Sequence, residues 1–253
     1  MLLAIDVGNT NTVLGVYRAN KLLRHWRIQT VAERTVDEYG VLLQGLFGAS
    51  AIEPAIDGTI ISCVVPPMQK TVEAVSREYL RIDPMTVGPG TKTGMPILYD
   101  NPKEVGADRI VNAVAAYDRA HDTTIVVDFG TATTLDYISA KGEYVGGVIT
   151  PGPGISLEAL YQRAAKLYRV EMAKPPRVVG RNTIHAIQSG IVNGYVAMVD
   201  GLVRRIQQEN DVTARVFATG GFAALLAPES ETIEEVDEFL TLDGLRILYD
   251  RNR

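Results

Sequence analysis

The chain has 253 residues, 46% of them hydrophobic and 22% charged, with a formal net charge of −5 at pH 7. That length suffices for one large domain or two modest ones with a sizeable core. The charge disfavours non-specific nucleic-acid binding, no apolar run approaches the ~20 residues of a membrane span, and the single cysteine, Cys63, excludes an intramolecular disulfide. With no secretion signal legible at the N-terminus and one cysteine, the expected compartment is the cytoplasm.

Residues 2–28 read as three strands: Leu2–Asp6, Thr12–Tyr17 and, after a turn at Arg18-Ala19-Asn20-Lys21, Leu22–Ile28. The first two are joined by Asp6-Val7-Gly8-Asn9-Thr10-Asn11. A buried strand that ends in Asp-x-Gly and turns back can hold a phosphate chain and its metal. Glycine lets the backbone approach, hydroxyls and amides donate, and the carboxylate orients a hydrated Mg²⁺. A plain β-turn, with Asp and Asn there for turn chemistry, accounts for one such stretch equally well.

Thr35-x-x-Glu38 reads as a capping box ahead of a helix to about Phe47, with Val36, Leu42, Leu43, Leu46 and Phe47 on one face. Gly58–Val65 is β-branched and apolar, a buried strand with Cys63 as a small core residue. Pro66-Pro67 opens a helix to about Leu80, with Val72, Val75 and Tyr79 inward, and Met85–Gly88 is a short strand. The segment Gly88–Pro96 is glycine-rich but is no P-loop, because Lys92 precedes the last glycine instead of following it. It continues through Tyr99-Asp100-Asn101-Pro102 as one long loop; a loop of that length between regular elements points to function. Gly106-Ala107-Asp108-Arg109 then opens a helix to about Ala120. Asp108 suits the positive end of the helix dipole; Arg109 does not, which asks for an anionic partner.

Thr124-Ile125-Val126-Val127-Asp128-Phe129-Gly130-Thr131-Ala132-Thr133-Thr134 repeats the pattern of residues 2–12, and the hairpin repeats too, as Thr134–Ser139 and Tyr144–Thr150 about a turn at Ala140–Glu143. A strand, loop and hairpin recurring at half the chain length argue for two similar domains, residues 1–117 and 118–253, facing each other across a cleft. Asp128-Phe129-Gly130 also spells the protein-kinase metal motif, but the companion kinase motifs do not accompany it. Pro151-Gly152-Pro153-Gly154 breaks the chain before a helix from about Ile155 to Leu167. Gly180-Arg181-Asn182-Thr183 precedes a long helix to about Glu209, whose Gly190 and Gly194 call for close packing against another element or a partner chain. Arg215–Thr219 is a strand running into Gly220-Gly221, Glu229–Glu238 reads as a solvated acidic surface, and Leu242–Asp250 closes the chain as a helix. His25, His121 and His185 show no metal spacing, and no serine-hydrolase elbow occurs.

Asp-x-Gly-Asn-Thr, a second Asp-x-Gly-Thr-Ala-Thr-Thr and a late Thr-Gly-Gly, in that order, resemble the two phosphate loops and the adenosine loop of the actin, hexokinase and Hsp70 ATPases. Within that superfamily the chain resembles the type III pantothenate kinases over nearly its whole length. Asp6–Thr12, Val87–Gly94, Tyr99–Pro102, Gly106–Arg109, Asp128–Thr134 and Gly180–Thr183 carry the likeness. The fold implied is α/β: two similar RNase H-like, actin-like ATPase domains, each a mixed β-sheet flanked by helices, with an ATP cleft between them. The activity implied is ATP-dependent phosphorylation of pantothenate, the first step towards coenzyme A.

Residue by residue, the resemblance assigns Asp6, Val7, Gly8, Asn9, Thr10, Asn11, Thr12 and Val13 to the ATP phosphates, with Asp6 helping to hold Mg²⁺. It assigns Thr131 to ATP and Asp128 to a monovalent cation, K⁺ or NH₄⁺. Tyr99, Gly106, Ala107, Asp108, Arg109 and Thr183 would bind pantothenate, with Asp108 as proton acceptor. It also implies a homodimer. The residue types agree with this: phosphoryl transfer needs positioning and charge neutralisation, a carboxylate can take the hydroxyl proton, and Arg109 can pair with a carboxylate substrate. A kinase for a sugar or another short acid on the same fold is the nearest alternative, because fold does not fix substrate. A regulatory binding protein and an actin-like filament protein are the more distant ones.

Overall fold

The structure, a computed structural model, describes residues 1–50, 55–164 and 166–253. The chain divides into two compact units: residues 1–95, 100–115 and 240–253 form the first, and residues 96–99 and 116–239 the second.

In the first unit, β1 (Leu2–Val7), β2 (Asn11–Arg18) and β3 (Lys21–Gln29) form an antiparallel meander, and β4 (Gly58–Cys63) and β5 (Met85–Thr86) continue the sheet in parallel, in the order β3-β2-β1-β4-β5. Alternation along β1 sorts its side chains by face. Leu3, Ile5 and Val7 enter a core with Tyr39 and Leu43 of α1 (Val36–Ala49) and Met68, Val72 and Val75 of α2 (Pro66–Val75). Leu2, Ala4 and Asp6 therefore point the other way. On that side lies α7 (Leu240–Asn252): a Cβ on Gly15, the partner of Ala4, would stand 2.7 Å from Leu242. Thr35 and Glu38 form the expected reciprocal capping box, with Thr35 N donating to Glu38 Oε2 at 2.7 Å. The sequence grouped the last helix with the second half; instead α7 is clamped to the first unit, where Tyr17 donates to Asp243 at 2.7 Å and Thr241 to Asn112 at 2.7 Å.

The second unit repeats the plan. β6 (Thr124–Phe129), β7 (Ala132–Ile138) and β8 (Tyr144–Pro151) form the meander, and β9 (Arg215–Thr219) and β10 (Glu235–Val236) extend it in parallel, in the order β8-β7-β6-β9-β10. Ile125, Val127 and Phe129 pack on Val192, Val196, Val199 and Val203 of the long α5 (Thr183–Asn210). The duplication extends to a bulge. The register slips between Val16 and Tyr17 opposite β3 and between Tyr137 and Ile138 opposite β8, leaving Leu23 and Val145 as the extra residues.

Several local readings are corrected. The helix expected to reach Leu167 is α4 (Pro153–Arg163); Ala165, within the expected span, lies outside the described residues. The acidic stretch 229–238 is not merely solvated. It carries the edge strand β10, and Arg119 pairs with Glu235 at 3.2 Å and with Asp237. A short helix, α6 (Ala223–Leu226), precedes it. A Cβ at Gly190 or Gly194 would meet nothing within 4 Å, so of the two partners the sequence allowed, another element and a partner chain, the first is not found among the described residues. Between the long loop and α3 (Ala107–Ala120), residues 102–104 form a 3₁₀ turn capped by Asn101.

Asp200 of α5 is 5% exposed and holds the approach to β10. Its carboxylate accepts from Ser230 Oγ at 2.5 Å, Thr232 Oγ1 at 2.7 Å and the backbone N–H of Glu231 at 3.0 Å. Burial pushes this carboxyl up, but the donors from Ser230, Glu231 and Thr232 outweigh it and hold the group below the usual carboxylate range. A lowered folded pKa contributes stability that is complete above the unfolded value, about 3.9, and is lost as pH falls through the folded one. Asp200→Ala is expected to cost about 2–4 kcal/mol at neutral pH, because it strands the loop's donors. Urea titrations should show that cost shrinking below pH 4; a cost independent of pH would reject the carboxylate's role.

Candidate active site

β1 and β6 share one burial pattern, with four buried residues, a half-buried aspartate and a buried apolar residue before the glycine. Asp6 lies in register with Val13 and Ser62, and Asp128 with Thr134 and Thr219. Both carboxylates thus stand at the C-terminal ends of strands with parallel neighbours, where open α/β sheets bind ligands.

The first turn closes with Gly8 N donating to Asn11 O at 3.0 Å. Thr30, which the sequence reading did not single out, braces it: its hydroxyl donates to Gly8 O at 2.7 Å and lies 2.9 Å from that of Thr12, and its N–H donates to Thr10 O at 3.0 Å. Among the residues assigned to ATP, the side chains of Val7 and Thr12 are buried, whereas Asn9 and Thr10 are exposed at the tip. Val7 therefore offers a ligand backbone only. Ser62, beside Asp6, is 0% exposed and its hydroxyl makes no hydrogen bond. Cys63 follows at the strand end; burial pushes its thiol up, and the charges of Asp6 and Glu73 push the same way.

In the second turn Gly130 and Gly220 bring backbone against Asp128, and Gly152 closes on the turn itself. Gly130 N donates to Ala132 O at 3.1 Å, and a Cβ there would lie 3.4 Å from Asp128 Oδ1. Gly152 N donates to Thr131 O at 2.9 Å, and a Cβ on Gly152 would collide with the carbonyls of Gly130 and Thr131. Gly220 has φ +94°, and a Cβ there would collide with Asp128 Oδ1 and the Phe129 backbone. Such a cradle, open to solvent at Thr131, is filled by any larger residue. Of these three, Gly152 was missed; only its Pro-Gly-Pro-Gly setting hinted at a tight approach.

At the start of α3, Arg109 N donates to Asp108 Oδ1 at 2.8 Å, and a Cβ on Gly106 would stand 2.6 Å from that oxygen. Gly106 is what lets the carboxylate fold over its own helix terminus. Burial raises the Asp108 carboxyl above the ordinary range, against the opposing pull of Arg109. Arg109 itself is only 7% exposed. Elsewhere in the first unit the glycine-rich loop is tied to α7, with Asn252 bridging both backbone groups of Lys92 at 2.8 and 3.0 Å. Tyr99 and Thr183 lie in the second unit. Tyr99 is half-buried, its ring centroid 6.4 Å from that of Tyr144, and Thr183 is exposed at the first turn of α5, capped by Asn182.

Among the described residues, no three carboxylate, imidazole or thiol side chains converge as a metal cage. One aspartate beside hydroxyls suits a hydrated Mg²⁺ that arrives with nucleotide phosphates, which keeps most of its waters and takes one or two carboxylates. The backbone carbonyls and single carboxylate around Asp128 are the hard oxygen donors that an alkali cation takes.

The family model for type III pantothenate kinases matches residues 2–205. The chain is 60% identical over 253 residues to the type III pantothenate kinase of Myxococcus xanthus, covering 100% of this chain and 99% of that one. It is 59% identical over 254 residues to that of Pelobacter propionicus, with both chains fully covered. Among solved structures, a putative Baf family transcriptional activator from Campylobacter jejuni superposes with a TM-score of 0.62 at 18% identity, over 99% of this chain and 98% of that one. Component A of the (R)-2-hydroxyglutaryl-CoA dehydratase of Acidaminococcus fermentans superposes at 0.57 and 15% identity, over 98% and 96%. These last two likenesses concern the fold, that of the actin-like ATPases and sugar kinases.

Gly220→Ala combines a disfavoured φ with a collision at Asp128. It is expected to lower stability by about 1–3 kcal/mol. Gly45→Ala, where a Cβ would meet nothing within 4 Å, serves as the control in urea denaturation. Equal stability of the two variants would reject the close approach at Asp128.

Proposed function

The chain belongs to the type III pantothenate kinase family, which phosphorylates pantothenate with ATP in coenzyme A biosynthesis, and from that premise we propose how its residues divide the work. Asp108 is the proton acceptor. The observation that carries this is its carboxylate at the first turn of α3, made more basic by burial and given room by Gly106. The substrate's primary hydroxyl attacks the γ-phosphorus, the bond from that phosphorus to the β–γ bridging oxygen breaks, and the hydroxyl proton passes to Asp108. Little covalent help is needed in such a transfer, so orienting the hydroxyl and taking its proton late is the carboxylate's share.

Asp6, Val7, Gly8, Asn9, Thr10, Asn11, Thr12 and Val13 bind the ATP phosphates, through the backbone of the turn and the exposed side chains of Asn9 and Thr10. Thr131 donates to the same nucleotide from the second turn. A divalent ion brought by the nucleotide neutralises phosphate charge, and Asp6 orients it. Asp128 and the carbonyls around it hold a monovalent cation, K⁺ or NH₄⁺, which adds positive charge that a chain of net charge −5 lacks. Arg109 pairs with the pantothenate carboxylate, and Tyr99, Gly106, Ala107 and Thr183 complete that subsite. We further infer a homodimer; the exposed Val178 and Val179, at 71% and 78%, and the open Gly190 and Gly194 on α5 support it. No helix among the described residues is long and apolar enough to cross a membrane.

Asp108→Asn should cut kcat by about two orders of magnitude or more while leaving ATP binding intact. The active base is deprotonated. Because its pKa is raised, kcat/KM should fall on acidification at a pH above the usual carboxylate value of about 3.9. That limb should vanish from the residual rate of the variant; near-normal turnover in Asp108→Asn sinks the assignment.

Exchanging K⁺ and NH₄⁺ for Na⁺ at constant ionic strength should abolish most activity. Asp128→Asn should remove the difference between the salts. Full activity in Na⁺ alone rejects the monovalent site.

A further inference from the structure

The two halves share a scaffold, so positions where they differ separate what the fold needs from what one half adds. Register places Val13 opposite Asp6 and Thr134 opposite Asp128, Gly15 opposite Ala4 and Asp136 opposite Val126. At the bulge, Leu22 pairs with Tyr17 and Tyr144 with Ile138. Three equivalent positions on one sheet face therefore read Val13, Gly15 and Leu22 in the first unit, but Thr134, Asp136 and Tyr144 in the second. The first unit shows that this sheet folds without a polar group at any of them.

In the second unit the three are joined. Asp136 and Tyr144 are both 0% exposed. The Tyr144 hydroxyl donates to Asp136 Oδ1 at 2.6 Å, and Thr134 Oγ1 donates to Asp136 Oδ2 at 3.2 Å. A carboxylate taken out of water is costly even when hydrogen-bonded, and an apolar pair of similar volume does as well for stability. Stability thus gives no reason for the pair.

Tyr144 suggests the reason by what it holds. Residues 96–99 leave the first unit and pair by backbone with Tyr144 of the second: Tyr144 N donates to Pro96 O at 2.8 Å, and Leu98 N donates to Tyr144 O at 2.8 Å. Ile97 bridges Tyr144 as a parallel neighbour. The ring of Tyr99 then leans on that of Tyr144, with centroids 6.4 Å apart at 58°. Tyr144 adjoins the bulge at Val145, where the regular ladder with β7 is interrupted.

We propose that Asp136 is a positioning residue for the pantothenate subsite: by fixing the Tyr144 phenol it locks the segment Pro96–Tyr99 and the Tyr99 ring into their binding geometry. This rests on the reading of Tyr99 as a pantothenate contact. Asp136 touches no substrate. Its effect runs through one hydrogen bond, one ring contact and two backbone bonds, all within the second unit.

Steady-state kinetics on the full-length enzyme test it, with thermal melts to confirm folding. Tyr144→Phe keeps the ring and removes the hydroxyl. The double variant Asp136→Ala/Tyr144→Phe removes both ends of that bond, so neither the phenol nor the carboxylate is left facing an empty partner, and the Thr134 hydroxyl loses its acceptor in this variant. Each should raise the pantothenate KM about tenfold while kcat and the ATP KM stay within about twofold. Asp136→Asn keeps an acceptor for the phenol and should stay near the parent value. A pantothenate KM unchanged in both hydroxyl-deleted variants overturns the proposal, as does an equal loss for both substrates. Tyr99→Ala is the separate arm. If it raises the pantothenate KM but the Tyr144 variants do not, the positioning idea fails and the reading of Tyr99 stands. If Tyr99→Ala changes nothing, that reading fails, and the proposal with it.

Discussion

Everything in this chain depends on keeping a carboxylate at the end of a buried strand, with backbone where side chains would ordinarily be. Four buried residues anchor each of β1 and β6, so the following aspartate cannot retreat into solvent. The turn that follows must bring backbone close to it, with no side chain in the way. Glycine meets that need at Gly8 and Gly130, and Gly152 and Gly220 extend it in the second unit, where a methyl group would strike main-chain or carboxylate oxygen. The rest of each sheet holds those turns still. Thr30, just after β3, braces one, and Gly152, just after β8, braces the other.

What could be read from sequence follows from this constraint. The Asp-x-Gly turns, their repeat at half-length, the Thr35–Glu38 box and the Gly106–Arg109 helix start are all local signals, in which neighbouring residues carry the whole physics. The features that escaped are set by distant contacts. β10 lies in a stretch whose glutamates and aspartates argue against a strand, and it forms because β9 offers it an edge while Arg119 neutralises Glu235 and Asp237. The association of α7 with the first unit rests on Tyr17–Asp243 and Asn112–Thr241, pairs more than a hundred positions apart, which no window of sequence reveals. Gly152 and Thr30 were invisible for the same reason: each matters only through the turn it touches. The glycines of α5 allowed two partners, another element or a second chain, and among the described residues no element packs at Gly190 or Gly194.

The duplicated plan also explains why the two turns are not interchangeable. In the first, the glycine N–H reaches three residues ahead, to Asn11 O; in the second it reaches two ahead, to Ala132 O. The longer turn places one more residue at its tip and exposes two polar side chains, Asn9 and Thr10, where the shorter exposes Thr131. A turn rich in donors at its tip suits the more highly charged part of a polyphosphate. A shorter turn, crowded by carbonyls from Gly130 and Thr131 and by the Asp128 carboxylate, suits a cation instead. On the roles proposed above, one residue of loop length and three side chains on one sheet face divide the labour between two like scaffolds. The two halves thus differ less in their strands, which are nearly the same, than at the few positions where a strand end or a sheet face admits a polar group that its twin excludes.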